Sequence, residues 1–235
     1  MERAGGLQQM DGRDRILEAA GEIFAECGFR GATIRRICER AGVNIAAVNY
    51  YFGGKEKLYS EVLRYWSDFA LKKYPLLLGV GEEAPAEEQL KAFVRSLLFR
   101  LLDRGKPAWF GKLMAKEMTE PTRAFERLVK EIVRPRDRIL ASIIQKMIGT
   151  PVSEEQIRLC SASIVGQCIY YYNARAIMTK LYRRDVSKAD EIERIADHIV
   201  RFSLLGLEHF SEHDESGAKE NAEVEKSQNE QERKV

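Results

Sequence analysis

The stretch 33–52 constrains the fold more than any other part of this sequence, because two short helical patterns flank a glycine there. Apolar residues in the segment 34–41 recur at three- and four-residue spacing, with charged residues between them, as on an amphipathic helix. Gly42 tolerates positive φ and can end that helix. Asn44 can cap a second helix over 45–52. The pattern predicts a helix-turn-helix, the unit that places its second helix in the major groove of DNA.

These residues also carry a resemblance to a known family. The motif TIRRICERAGVN, followed by YYF and KEKLY, resembles the DNA-binding domain of the TetR family of transcriptional regulators. The resemblance runs from about Arg13 to Tyr59 and includes a preceding helix, expected over 13–27. It implies an all-α fold, with an N-terminal three-helix helix-turn-helix DNA-binding domain over 13–59. A C-terminal helical domain over 60–210 is then expected to bind an effector and to dimerise.

The candidate DNA-binding residues divide into two groups, because phosphates supply affinity whereas base edges supply sequence information. By the resemblance, we expect phosphate contacts from Thr33, Asn44, Tyr50, Tyr51 and Lys55. We expect base contacts from Arg35, Ile45, Ala46, Ala47 and Asn49. Arginine can bind guanine and asparagine can bind adenine, each through two hydrogen bonds, and small alanines allow close approach of the helix.

Neighbouring side chains have structural alternatives. Arg36 and Arg40 are expected to be solvated or salt-bridged, and Val48 and Phe52 to lie in the core. The two tyrosines of the YYF motif can contact phosphate or can pack against the following helix. Tyr51 stands where the family often has histidine, and its hydroxyl can still donate a hydrogen bond to a phosphate.

The rest of the chain also reads as helical, without the alternating pattern of strands. A fourth helix is expected from about Lys55 until Pro75 stops it. Further helices are expected over 86–103, 107–119, 121–148, 154–182 and 188–210. Pro121 fits the first turn of the third of these, and Pro135 predicts a kink or break within it.

The C-terminal region is expected to provide an effector pocket and a dimer interface. Its segment GQCIYYYNARAIMTKLY resembles the CecR-like subgroup of the family. The candidate pocket residues are Phe99, Trp109, Phe110, Met114, Met118, Tyr170 and Tyr172, although aromatic residues and methionines at helical spacing are also typical of a core. The candidate interface residues, on the helices 154–182 and 188–210, are Ala162, Ser163, Gly166, Ile199, Phe202 and Leu205. Burial of these residues within one subunit is the alternative.

Composition and motifs exclude other classes of protein. No apolar run approaches the roughly 18 residues of a membrane span, and no apolar signal segment is apparent, so a cytoplasmic protein without a membrane partner is expected. We find no G-x-S-x-G, P-loop, dinucleotide-binding or zinc-ligand spacing, and His209 and His213 lack a third ligand. No enzyme, cofactor or metal site is predicted. Residues 1–12 are expected to be flexible and 211–235 to form a disordered charged tail.

The sequence therefore predicts a regulator that binds double-stranded DNA. The expected protein is a repressor that binds a palindromic operator as a homodimer, and an unidentified small-molecule effector releases it. The alternative is a helical protein-interaction module that keeps the fold but does not read DNA sequence.

Overall fold

The computed structural model describes residues 11–149 and 152–208, and its regular secondary structure there is entirely helical, which confirms the all-α prediction. The helices are α1 (Gly12–Gly31), α2 (Ile34–Ala41), α3 (Ile45–Phe52), α4 (Lys55–Lys73), α5 (Ala86–Leu102), α6 (Pro107–Thr119), α7 (Phe125–Leu128), α8 (Arg134–Ile148), α9 (Glu154–Asn173), α10 (Arg175–Tyr182) and α11 (189–208). A π-helical turn, Val129–Val133, joins α7 to α8. The tail predicted over 211–235, which includes His213, lies outside the described residues, as do His209 and most of the segment 1–12.

Two hydrophobic clusters organise the described residues. The first contains residues of α1, α2, α3, α4, α6 and α7. Its largest fully buried side chain is Trp66 of α4. The second joins α5, α8, α9 and α11. Because α4 and α6 share the first cluster, the helix-turn-helix is packed directly onto the C-terminal region rather than tethered to it.

Two predicted helix bounds are wrong in detail, whereas the end expected for the first helix is confirmed. Gly28 is non-helical, at φ 73° and ψ 179°, so the first helical run ends before it and a second short run continues α1 to Gly31. Pro121 precedes α7 and is not helical. The helix predicted over 154–182 is interrupted at Ala174, whose ψ of 2° separates α9 from α10.

Two local features mark the starts of later helices. Pro135 lies in the first turn of α8, directly after the π-helical turn, and the irregularity expected there takes the form of that turn rather than a break, since the backbone stays helical on both sides. Ser153 caps α9, and Gln156 completes a capping box with it. Within residues 11–149 and 152–208, no helix combines the length and apolarity that crossing a membrane requires.

Candidate nucleic-acid interface

Helices α2 and α3 form a helix-turn-helix in which local hydrogen bonds fix both ends of the turn. Thr33 Oγ1 accepts from the amide of Arg36 at 3.2 Å, which caps α2. Gly42 follows α2 with φ 64°, a left-handed conformation that a Cβ would strain. Asn44 Oδ1 then accepts from the amide of Ala46 at 3.0 Å and caps α3. The caps predicted at Gly42 and Asn44 are confirmed, and with Thr33 they fix the geometry of the helix-turn-helix.

The inner face of α3 anchors it to the rest of the protein. Val48 is fully buried and Phe52 is 6% exposed, in one cluster with Ile37 of α2. The core role predicted for Val48 and Phe52 is confirmed. This anchor fixes which residues of α3 face outward.

The outer face of α3 carries the candidate base-reading residues. Ile45 is half exposed, Ala46 and Asn49 are exposed, and Ala47 is partly buried against the first cluster. Tyr50 is 83% exposed, so it does not pack on α4 as the structural alternative proposed. Since the side chains near the start of α3 are short, a partner surface can approach its backbone closely.

The arginines of α2 differ in their partners. Arg36 pairs with Glu26 at 3.0 Å and Arg40 with Glu22 at 2.7 Å, both on α1, as expected for salt-bridged residues. Arg35 is exposed, and its partner Glu39 is on the same helix, four residues later at 2.9 Å. Sequence reasoning missed this carboxylate beside a candidate base-reading side chain, although the four-residue spacing indicates it.

Tyr51 and Lys55 lie at the edges of the helix-turn-helix. A Cβ placed on Gly12 would lie 3.5 Å from the Tyr51 hydroxyl, so this tyrosine is next to the start of α1. The Lys55 ammonium lies 4.5 Å from the centre of the Phe29 ring, a cation–π geometry. Tyr51 is 38% exposed and Lys55 is partly buried.

Comparison with protein families identifies both parts of the chain. Residues 16–62 match the model described as bacterial regulatory proteins, tetR family. Residues 86–207, more than half of the chain, match the C-terminal domain of the HTH-type transcriptional dual regulator CecR. The chain belongs to the TetR family of transcriptional regulators. It is therefore a DNA-binding transcriptional regulator, and its relatives are regulators rather than enzymes.

Individual relatives agree with this assignment. The dual regulator CecR of Shigella flexneri is 27% identical over 167 residues, which cover 68% of this chain and 74% of CecR. The repressor NicS of Pseudomonas putida is 38% identical over 83 residues, or 35% of this chain and 39% of NicS. The chain thus matches much less than two thirds of NicS.

Solved structures support the fold. A transcriptional regulator from Rhodococcus has a TM-score of 0.60 at 23% identity, covering 83% of this chain and 96% of that one. AibR, solved in complex with isovaleryl coenzyme A and operator DNA, has a TM-score of 0.62 at 18% identity. The match covers 81% of this TetR-family chain and 96% of AibR.

The structure does not bring the seven predicted pocket residues to one cavity. Trp109 packs on Trp66 with ring centres 4.5 Å apart, and Phe110 and Met114 contact the same first cluster. Phe99 and Tyr172 belong to the second cluster. The remaining two, Met118 and Tyr170, are more than half exposed. Most of these side chains therefore pack in the interior, as the structural alternative described.

A groove of about 540 Å³ runs between the α5–α6 connection, α10 and the segment after α10. Trp109 lines it together with the cationic residues Arg104, Lys112 and Arg175. Arg104 is already paired with Asp185. A second groove, of about 470 Å³, lies between the start of α4 and the α6–α7 connection, and none of the predicted pocket residues lines it.

The predicted dimer residues are mostly exposed. Ala162, Ser163 and Gly166 lie on the outer face of α9, and Phe202 and Leu205 are 64% and 69% exposed on α11. Ile199 is fully buried in the second cluster, so its assignment to the interface was wrong.

Proposed function

We propose that this regulator is a repressor that binds a palindromic operator as a homodimer and is released by a small-molecule effector. The observation that carries the proposal is the outer face of α3, which exposes short side chains and Asn49 while Val48 and Phe52 hold the helix in place. Relatives named as repressors, among them NicS, favour repression. CecR is named as a dual regulator, so its name does not distinguish repression from activation.

The proposed contacts divide by chemistry. Arg35, Ile45, Ala46, Ala47 and Asn49 would read base edges, whereas Thr33, Asn44, Tyr50, Tyr51 and Lys55 would bind phosphates. The positions of Thr33 and Asn44 at the N-termini of α2 and α3 support their proposed phosphate contacts, because backbone amides and the helix dipole attract anions there.

The DNA-binding part is tested by fluorescence anisotropy, with labelled DNA selected from genomic fragments that the protein retains. Arg35→Ala and Asn49→Ala should each cost about 1–3 kcal/mol at particular base pairs and relax sequence preference there. Lys55→Ala should weaken binding to all sequences and reduce the salt dependence. Arg138→Ala, which removes an exposed arginine on α8, is the control for the loss of one charge. If Arg35→Ala, Asn49→Ala and Lys55→Ala all bind like the wild type, α3 does not read DNA and the interaction-module alternative gains support.

The homodimer is proposed on the outer faces of α9 and α11. Leu159, Tyr170, Phe202 and Leu205 are all more than half exposed, and small residues between them on α9 allow close helix approach. Gln167 of α9 reaches the Ser203 hydroxyl of α11 at 3.5 Å, so these two faces adjoin each other. A four-helix bundle with a second copy would cover this surface.

Ligand response is proposed as a population shift. An effector bound among the C-terminal helices would favour a distance between the two helix-turn-helix units of the dimer that does not fit the operator. Helix α4 would transmit this movement. Linkage provides the test: an inducer must bind free protein more tightly than operator-bound protein, by the factor by which it weakens DNA binding. Equal affinity for both forms would refute this mechanism and leave DNA binding intact. A regulator of this kind acts where the chromosome is, so we also propose a cytoplasmic location without a membrane partner.

A further inference from the structure

Two guanidinium groups lie inside the C-terminal region without a carboxylate partner among the described residues. Arg100 of α5 is 4% exposed, and Nε donates to the carbonyl oxygen of Ser96 at 3.2 Å. Arg136 of α8 is partly buried and donates through Nη2 to the hydroxyl of Ser67. The Arg136 guanidinium carbon lies 5.3 Å from the centre of the Phe110 ring. All of these hydrogen-bond partners are neutral, so neither guanidinium is held by a carboxylate in direct contact with it.

The charge of Arg136 also acts on Arg100. Burial, and then the neighbouring charge of Arg136, lower the pKa of Arg100 to about 9. Burial lowers the pKa of Arg136 to about 10, and the charge of Asp68 acts in the opposite direction. Both guanidinium groups are therefore still cationic at neutral pH. Two adjacent buried cations destabilise a fold unless an anion balances them, because buried charges are ordinarily paired.

We propose that Arg100 and Arg136 bind the carboxylate or phosphate group of an anionic effector. Guanidinium groups suit this role because their planar donors match both oxyanions in a bidentate geometry. The site lies where α4, α5, α6 and α8 meet, with the Ser67 hydroxyl as a further polar group and the Phe110 ring as an apolar wall. The role of this anion as an effector rests on the proposed ligand response, whereas its binding does not.

The position of Ser67 connects the site to the helix-turn-helix. Ser67 belongs to α4 and is 1% exposed, and α4 begins directly after the helix-turn-helix. An anion held between Arg100 and Arg136 would draw α5 and α8 together, and Arg136 would carry that movement to α4 through its bond to Ser67.

The experiment measures anion binding without DNA. The wild-type protein is titrated with hexanoate or inorganic phosphate at constant ionic strength, with chloride as the reference anion. The readouts are the thermal unfolding midpoint and calorimetric binding. At a hundred times the dissociation constant, an anion of the right class should raise the midpoint by about 5–10 °C. The two probes distinguish a carboxylate site from a phosphate site.

Variants locate the site. Arg100→Met keeps the length of the side chain and removes its charge, so it should weaken anion binding at least about tenfold, by the loss of one charged hydrogen-bonding partner. Without anion its midpoint should equal or exceed that of the wild type, because an unbalanced buried charge has been removed. Arg136→Gln repeats the test at the other guanidinium. Lys112→Met removes an exposed cation and should leave the anion response unchanged.

Two results would overturn the proposal. One is identical midpoints in hexanoate, phosphate and chloride for the wild type. The other is an anion response that both Arg100→Met and Arg136→Gln retain. Operator binding is then measured with and without the anion. Anion binding that leaves DNA affinity unchanged would refute only the role of the anion as an effector. Absence of sequence-specific DNA binding by the wild-type protein without anion would instead refute the proposed function.

Discussion

The replacement Tyr59→Phe tests a buried hydrogen-bond network between the start of α4 and the end of α6. Tyr59 and Glu117 are each 1% exposed, and the Tyr59 hydroxyl donates to Glu117 Oε1 at 2.8 Å. Glu117 Oε2 accepts from the amide and the hydroxyl of Thr122, at 3.1 and 3.2 Å. The carboxylate is thus held by three neutral donors, one of which Tyr59→Phe removes without changing the ring.

The expected cost follows from this count of donors. A hydrogen bond to a charged group contributes roughly 1.5–3 kcal/mol, and the carboxylate oxygen that loses its donor stays buried. We therefore expect the free energy of unfolding to fall by about 2 kcal/mol. For a chain of this length, that corresponds to a midpoint lower by about 4–8 °C.

The assay is urea and thermal unfolding followed by circular dichroism, at one protein concentration for all variants. Tyr50→Phe is the matched control, because Tyr50 is 83% exposed and its replacement should change the free energy by less than about 0.5 kcal/mol. If Tyr59→Phe and Tyr50→Phe unfold at the same midpoint, the buried network does not stabilise the fold and the reasoning is wrong.

The pH dependence gives the same prediction a second test. Burial raises the pKa of Tyr59 above its usual range, and the hydrogen bond to Glu117 and its charge act in the same direction. In the unfolded chain a tyrosine titrates near pH 10, about its ordinary value. The stabilisation from protonated Tyr59 is therefore complete below about pH 10 and is lost as the pH rises above it. The cost of Tyr59→Phe should shrink over that range, and a cost that grows would contradict this assignment.

Three further predictions concern other contacts. Glu39→Gln releases Arg35 from an exposed ion pair and should raise DNA affinity up to about fivefold in anisotropy. The same replacement in the Arg35→Ala variant should leave the affinity unchanged. Gly21→Ala should cost about 1–3 kcal/mol in urea unfolding, because its Cβ would lie 1.9 Å from Trp66 Nε1; a gain in stability would mean that the indole can move. Phe202→Asp should weaken self-association by about 2 kcal/mol or more in sedimentation, whereas Met118→Asp, at an exposed apolar residue of α6, should not.

The helix-turn-helix was the most predictable part because its signals are local. Thr33 and Asn44 cap their helices through side chains within three residues, and Gly42 supplies the left-handed residue between them. The break at Ala174 had no such signal, since the surrounding sequence contains neither proline nor glycine. That break depends on packing, which periodicity alone does not report.

The effector region was less predictable because core and pocket residues share one pattern. Trp109 has the same spacing whether it packs on Trp66, as observed, or lines a ligand pocket. Arg100 did carry a signal that sequence reasoning missed. It lies seven residues after Phe93 and so falls on the apolar stripe of α5, where a charged side chain is unexpected.

Trp66 explains why a movement in the C-terminal region must reach the DNA-binding unit. Its ring lies between α1 and α6: Nε1 donates to the carbonyl oxygen of Leu17 at 3.4 Å, and Trp109 packs on the ring. Gly21 leaves no room beyond the indole, because even a methyl group there would overlap it. We therefore expect a shift of α6 toward α4 to displace α1 or α4, because the packing around Trp66 leaves no space to absorb it. Closely packed interiors transmit strain, so the DNA-binding domain and the C-terminal region can be coupled without a separate hinge between them.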